Sequence, residues 1–184
     1  MPGSVLIICG TNRPQSNAMK VAKIIATAYS AQNIPAEILS LAEMPPEAFD
    51  PSCYATKPPS LVAMQQRVLA AAGLHVVTPE YNGSFPGVLK YFIDMLKFPE
   101  SFERKPVCFV GESAGTYGGL RSVEQLIQIF GYRNAHIFPV RIFIPGINDR
   151  FNFDGALIDA DIQKRINEQA AGFSRFAGVL ASGK

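Results

Sequence analysis

The chain passes from an apolar run into the start of a helical pattern at Val5-Leu6-Ile7-Ile8-Cys9-Gly10-Thr11-Asn12-Arg13-Pro14-Gln15-Ser16-Asn17. The first N–H groups of a helix are unpaired and lie at the positive end of its dipole, so a strand that leads into a helix in this way suits phosphate. Thr11 and Ser16 add hydroxyl donors, Asn17 adds an amide and Arg13 adds a charged guanidinium. The segment therefore predicts a phosphate site directly after the first strand.

Spacing excludes three common phosphate loops. A dinucleotide-binding loop requires G-x-G-x-x-G, but Asn12 and Gln15 stand at its second and third glycine positions. A Walker loop requires G-x-x-x-x-G-K, and here Gln15 and Ser16 stand where its glycine and lysine belong. A phosphatase loop requires a longer spacing than the four residues that separate Cys9 from Arg13, so Cys9 is interpreted as strand core.

Composition limits the class of protein. With 184 residues and 48% hydrophobic content, the chain is predicted to form a single domain over residues 1–184. No long apolar run predicts a membrane span, and the net charge of +2 without a basic cluster argues against nucleic acid. Cys9, Cys53 and Cys108 are odd in number and are interpreted as reduced thiols of a cytoplasmic protein. His75 is interpreted as a core residue, and His136 has no neighbouring partner for a metal site.

Apolar runs alternate with helical patterns along the whole chain, which is typical of βαβ units and a parallel sheet. Strands are predicted at Val5–Cys9, Ala36–Leu41, Leu74–Thr78, Val107–Val110 and Ala135–Val140. The fold class is therefore α/β: a doubly wound five-stranded sheet in the flavodoxin-like order 2-1-3-4-5, or a Rossmann variant, with helices on both faces. Ligands bind such sheets where the strand order reverses, so the loops after strands one, three and four are expected to meet there.

Two of those loops have the composition of a site for a flat heterocycle. After strand three, Pro79–Gly87 combines glycines and prolines with the flat rings of Tyr81 and Phe85, and Asn82 offers both a donor and an acceptor. After strand four, Glu112–Gly119 again combines small residues with a single aromatic side chain. Together with the phosphate loop, they predict a pocket for flavin mononucleotide (FMN).

At these residues the chain resembles the NADPH-dependent FMN reductase family, which includes flavodoxin-like quinone, chromate and azo-dye reductases. The resemblance extends over Val5–Phe130 and depends on the following residues: Gly10, Thr11, Arg13 and Ser16; the P-E-Y-N-x-x-x-P-G-x-L-K block over 79–90; and Gly118, Gly119, Arg121 and Ser122. It implies that FMN phosphate binds at Thr11, Arg13, Ser16 and Asn17. It implies further that the flavin ring lies against Pro79, Glu80, Tyr81, Asn82 and Gly83, with Ser113, Gly115 and Tyr117 closing the other side.

The resemblance also implies an activity. A hydride from NADPH or NADH would pass through bound FMN to a quinone, an azo dye, a metal oxyanion or free flavin. No catalytic side chain is required, because the flavin supplies the chemistry. A backbone N–H of the Asn82-Gly83 turn is the candidate donor to flavin N5, and Arg13, Lys90 and Arg121 are candidates for the NADPH ribose phosphate. Glu112 and Tyr117 make their loop bulkier than the family's usual version, which affects the expected choice of acceptor.

Two other functions stay open from the sequence. A flavodoxin-type electron carrier would bind FMN without oxidising a pyridine nucleotide, although such carriers are usually acidic and the pI here is 8.4. A flavin-free interaction protein could use the same fold and loops. The family resemblance implies a homodimer or homotetramer, and Phe92, Met95, Phe98 and Phe102 are expected to supply apolar surface for it.

Overall fold

The computed structural model describes residues 3–182, which contain a parallel sheet with helices on both faces. The strands are β1 (Val5–Cys9), β2 (Ala36–Ser40), β3 (Gly73–Pro79), β4 (Pro106–Glu112), β5 (His136–Ile137) and β6 (Ile142–Ile144). The helices are α1 (Asn17–Ser30), α2 (Pro59–Ala70), α3 (Gly87–Met95), α4 (Leu120–Tyr132) and α5 (Ala160–Ser182). The strand order is β2-β1-β3-β4-β5, so the predicted flavodoxin-like order is confirmed over the Rossmann alternative.

Two apolar layers hold the helices against the sheet. All residues of β1, β3 and β4 are buried, which explains why these strands appear in the sequence as continuous apolar runs. One layer lies between the sheet and α2, α3 and α4, and the other lies between the sheet and α1 and α5. Among residues 3–182, no helix has both the length and the apolar character that crossing a bilayer requires.

The fifth strand differs from its prediction. In place of one strand over Ala135–Val140, the structure has two short strands, β5 and β6, and both pair in parallel with β4. Residues 138–141 separate them and carry Pro139, which has no N–H to donate to the sheet. Both segments lie at the edge of the sheet, where such an interruption is tolerated.

The apolar surface expected on and after α3 is largely internal. Phe92, Met95 and Phe102 are buried in the apolar layer of α2, α3 and α4, and only Phe98 of the four is exposed, at 57% of its surface. The expectation was wrong for the three buried residues because the helical pattern shows an apolar stripe but not which neighbour covers it.

Three loops lie at one edge of the sheet because β1, β3 and β4 are parallel neighbours. We call residues 10–16 loop A, residues 80–86 loop B and residues 113–119 loop C. They follow the carboxyl ends of β1, β3 and β4, respectively. The residues predicted to bind FMN all lie on these loops or at the two element ends that adjoin them, whereas Lys90 and Arg121 lie on α3 and α4.

Candidate functional site

Loop A and the start of α1 form a small polar cavity. Ser16 caps the helix, since its Oγ accepts the N–H of Met19 at 3.2 Å. The cavity has a volume of about 270 Å³ and is lined by Arg13, Pro14, Gln15, Ser16, Asn17, Tyr81 and Asn148. A guanidinium and a helix N-terminus both favour an anion, and no acidic side chain among residues 3–182 lines the cavity.

Asn148 is a part of this cavity that the sequence did not reveal. It lies on a short 3₁₀ helix over Ile147–Asp149, directly after β6, and its Oδ1 accepts a hydrogen bond from Asn17 Nδ2 at 3.0 Å. The only sequence signal for this part of the site is the glycine of the preceding turn: Gly146 has a positive φ of 59° before the 3₁₀ helix. A fourth loop therefore contributes to the wall of the cavity.

Thr11 lies beneath the cavity and does not line it. Its side chain is only 1% exposed, and its Oγ1 accepts the backbone N–H of Arg13 at 3.2 Å. The same oxygen lies 3.1 Å from the hydroxyl of Tyr81. Thr11 therefore joins loop A to loop B and fixes the backbone that carries Arg13.

Loop B contains a tight two-residue turn with free donors. Tyr81 and Ser84 exchange two backbone hydrogen bonds, of 2.8 and 3.1 Å, around Asn82 and Gly83. Both central residues have positive φ, 51° and 75°, which is the geometry that Asn-Gly pairs favour in type I′ turns. Within the described part of the chain, neither of their N–H groups has a backbone or side-chain acceptor.

Helix α4 holds loop B in place. Ser122 Oγ donates to the carbonyl of Pro79 at 3.0 Å, and Gln125 Nε2 donates to the carbonyl of Gly83 at 3.1 Å. Glu80 forms an ion pair with Arg121 at 2.8 Å and accepts the backbone N–H of the same residue at 3.3 Å. Glu80 therefore acts as a cap for α4.

Loop C lies beside the same ion pair. The Arg121 guanidinium is 4.6 Å from the centre of the Tyr117 ring, which is 57% exposed. Ser113 Oγ donates to the carbonyl of Gly115 at 3.2 Å, and its backbone bonds to β6 and to the 3₁₀ helix. Contacts thus connect the three loops: Thr11 and Tyr81 join loop A to loop B, and Arg121 contacts Glu80 of loop B and Tyr117 of loop C.

The three basic residues considered for a nucleotide phosphate differ in their surroundings. Lys90 pairs with Asp94 at 2.7 Å, and Arg121 pairs with Glu80. Arg13 forms no salt bridge to any residue between 3 and 182. Arg13 is therefore the candidate whose charge is most available to a ligand.

A buried carboxyl lies next to the cavity. Glu112, the last residue of β4, is only 5% exposed, and its carboxyl lies near the backbone N–H of Ala18. Burial raises the pKa of Glu112 to about 7, although the Ala18 N–H and the charge of Arg13 oppose the shift. The sequence showed Glu112 only as a bulky loop residue, whereas an acid at the end of a fully buried strand is the signal that could have revealed it.

His75 is a core residue, as interpreted from the sequence. It is fully buried on β3, and its Nδ1 lies 2.9 Å from the Tyr29 hydroxyl. Burial lowers the pKa of His75 to about 3, so the imidazole is neutral at physiological pH. It lies inside the layer of α1 and α5, away from the three loops.

Comparison with known families matches residues 4–148 to the NADPH-dependent FMN reductase family. The chain belongs to this family. An NAD(P)H-dependent FMN reductase of Pseudomonas aeruginosa is 32% identical over 115 residues, which are 61% of this chain and 62% of that protein. An FMN-dependent NADPH-azoreductase of Staphylococcus aureus is 33% identical over 129 residues, which are 67% of this chain and 65% of that protein. The chain therefore covers somewhat less than two thirds of the length of these relatives.

Solved structures show the same fold. FerB, a flavoenzyme NAD(P)H:acceptor oxidoreductase from Paracoccus denitrificans, superposes with a TM-score of 0.79 at 21% identity, covering 96% of this chain and 97% of that one. A flavodoxin from Archaea superposes with a TM-score of 0.64 at 10% identity, covering 96% and 99%. The family and the flavodoxin-like fold predicted from the sequence are both confirmed.

Proposed function

We propose that this chain binds FMN and acts as an NAD(P)H-dependent oxidoreductase that reduces a small-molecule acceptor. One observation carries the proposal: the anion-favouring cavity of loop A lies next to the loop B turn with its two free N–H groups, and Thr11 and Tyr81 join them at 3.1 Å. Family membership over residues 4–148 supports the same conclusion.

The residues present fit the two ends of FMN. A phosphate dianion requires a cation and N–H donors, which Arg13, the N-terminus of α1 and the amide of Asn17 provide. Ser16 keeps a hydroxyl proton to donate even though its oxygen caps the helix. A flavin ring requires donors along its polar edge, and the N–H groups of Asn82 and Gly83 are free to donate.

Each loop then has a distinct task. Arg13, Ser16 and Asn17 bind the phosphate, and Thr11 holds loop A and Tyr81 in register. The flavin ring lies against Pro79, Glu80, Tyr81, Asn82 and Gly83, and Ser113, Gly115 and Tyr117 close its other side. When bound, FMN supplies the redox chemistry, taking a hydride from NADPH or NADH and passing electrons to the acceptor. The protein orients the reactants and needs no acid, base or nucleophile of its own.

The acceptor belongs to the class of quinones, azo dyes, metal oxyanions or free flavin. Tyr117 is half-exposed beside loop C and provides a flat surface on which an aromatic acceptor or a nicotinamide can stack. We place the protein in the cytoplasm, in keeping with its three free, buried cysteines among the described residues.

We also propose that the chain forms a homodimer or homotetramer. A groove of about 540 Å³ runs between α3 and α4, and the rings of Phe98 and Tyr132 line it and are mostly exposed. Exposed aromatic rings along a groove are typical of protein interfaces.

An absorbance spectrum followed by an anaerobic NADPH titration tests the function. We expect the visible flavin band in the purified or FMN-reconstituted protein, its bleaching by NADPH, and its return on addition of a quinone, an azo dye or free FMN. A band that NADPH does not bleach would indicate an electron carrier. No band after added FMN would indicate a flavin-free interaction protein.

A further inference from the structure

Glu112 is a buried acid with no role in the function proposed so far. The alternation of β4 places it on the same face as Cys108 and Val110, which pack in the layer of α1 and α5. Its carboxyl lies near the N–H of Ala18, and no cation pairs with it within the part of the chain that the structure describes. An ionised carboxylate without a paired cation is costly in such a place.

The carboxyl shares the first turn of α1 with the phosphate cavity. Ser16 and Asn17 line the cavity, and Ala18, whose N–H lies near the Glu112 carboxyl, is the next residue of the helix. Arg13 also acts on both, since its side chain lines the cavity and its charge lowers the pKa of Glu112. An ionised Glu112 and a bound phosphate would therefore compete for one helix N-terminus and one guanidinium.

We propose that Glu112 sets the affinity of this site for the phosphate of FMN: the phosphate binds tightly while the carboxyl is protonated and weakly once it has ionised, so binding takes up one proton. This inference rests on the proposed function, because it assigns the phosphate to the loop A cavity. Repulsion between the two anions is strong here, because burial of Glu112 limits screening by salt.

The groups around Glu112 keep the pKa of its carboxyl within the pH range in which the protein can be studied. Arg13 in loop A and Cys9 on β1 are the titratable groups that act on it. Burial raises the pKa of the Cys9 thiol, so that thiol stays neutral and does not compete for the proton. The register neighbours of Glu112 on β3 and β6 are Pro79 and Ile144, which do not ionise. The pKa of about 7 then places the transition near neutrality.

As the pH rises, ionisation of Glu112 and ionisation of the phosphate are expected to change the affinity for FMN in opposite directions. A phosphate monoester loses its second proton near pH ~6, so its own ionisation strengthens binding to Arg13 as the pH rises. Ionisation of Glu112 weakens binding above pH ~7 by up to about tenfold per pH unit, the limit for uptake of one proton. Loss of affinity between pH 7 and pH 9 is therefore the signature of Glu112.

Quenching of FMN fluorescence measures the dissociation constant of the apoprotein between pH 6 and pH 9. We expect the wild-type affinity to fall above pH 7, and the Glu112→Gln variant to bind FMN more tightly at pH 8.5 without that fall. Asp149→Asn is the matched control, because it removes an exposed carboxylate next to Asn148 and should keep the wild-type slope. Riboflavin lacks the phosphate and should show little pH dependence with any of these proteins.

Calorimetry in two buffers of different ionisation enthalpy counts protons on the wild-type protein and needs no variant. We expect uptake approaching one proton per FMN near pH 8. Tight FMN binding with no proton uptake, or with the same slope in wild type and Glu112→Gln, would overturn this inference and leave the proposed function standing. Absence of FMN binding at every pH would overturn the proposed function itself, and the inference with it.

Discussion

At the residue scale, Arg13 is the side chain that we expect to bind a negatively charged ligand. Its guanidinium lines the loop A cavity without a salt-bridge partner among residues 3–182, and its backbone N–H is fixed by Thr11. Binding of a phosphate to such an unpaired side chain costs little free energy, because no ion pair within the protein has to be broken first. No ion pair therefore competes with a phosphate for this charge, although the charge also acts on the carboxyl of Glu112.

Replacing Arg13 by alanine should weaken FMN binding by about 10- to 100-fold, since a hydrogen bond to a charged group contributes about 1.5–3 kcal/mol. Riboflavin affinity should change little, because riboflavin has no phosphate. Lys23→Ala is a matched control that removes one positive charge from the exposed side of α1. Fluorescence titration with both flavins measures the effect. An equal loss for FMN and riboflavin would contradict the phosphate assignment.

At the scale of elements, the turn from loop C into α4 depends on a glycine. Gly119 caps α4 in the left-handed region, with φ of 85° and ψ of 14°. A Cβ at this position would lie 2.5 Å from the backbone nitrogen of Glu112 and 2.7 Å from the Cα of Gly111. The turn therefore packs against the end of β4 so closely that only glycine fits. Because α4 also holds loop B, this turn sets the spacing between the two loops.

Gly119→Ala should destabilise the protein by more than about 2 kcal/mol, through backbone strain and the clash with β4. Gly87→Ala is the control, since a Cβ at the start of α3 meets no atom within 4 Å and should be neutral or slightly stabilising. Urea unfolding followed by circular dichroism measures both variants. Equal stability of the two variants would show that the turn can relax at little cost.

At the scale of the whole molecule, two buried titratable groups on neighbouring strands set opposite pH dependences of stability. The pKa of Glu112 is raised from 4.5 to about 7, so the folded state holds its proton longer and stability falls as pH rises through this range. The pKa of His75 is lowered from 6.5 to about 3, so the unfolded state binds that proton more readily and stability rises between these values. The two slopes oppose each other between pH 4.5 and 6.5.

The Glu112→Gln variant should remove one of these slopes. Relative to wild type, its free energy of unfolding should increase from pH 4.5 to pH 7 by up to about 3 kcal/mol and then stay constant. The difference between the two proteins isolates Glu112, because all other titrating groups are common to both. Urea titrations at several pH values measure it, with Asp149→Asn as the exposed control. A constant difference over this range would mean that Glu112 ionises alike in the folded and unfolded states.

Association of whole chains is expected to use the groove between α3 and α4. Phe98→Glu should lower the mass measured by light scattering, because a charge would enter an apolar contact. Phe153→Glu is the matched control, since Phe153 is fully exposed outside the groove. An unchanged mass for Phe98→Glu would show that this groove is not the contact between subunits.

The sequence by itself determined the α/β class, the family and the three loops that meet at the carboxyl edge. Those features are local: a buried parallel strand gives a continuous apolar run, and Asn82-Gly83 specifies its turn through two positive φ angles. Pro139 likewise interrupted the fifth strand for a local reason, although the apolar run around it favoured a single strand.

The tertiary structure alone decided which side chains line the loop A cavity. Thr11 lies beneath the cavity because its hydroxyl forms a hydrogen bond with the hydroxyl of Tyr81, which is 70 residues away in the sequence. Asn148 enters the cavity wall, and Glu112 turns inward to Ala18, only because sheet register and helix packing bring distant segments together. Periodicity reports the face on which a side chain lies, but contacts between distant segments depend on the packing of the complete chain.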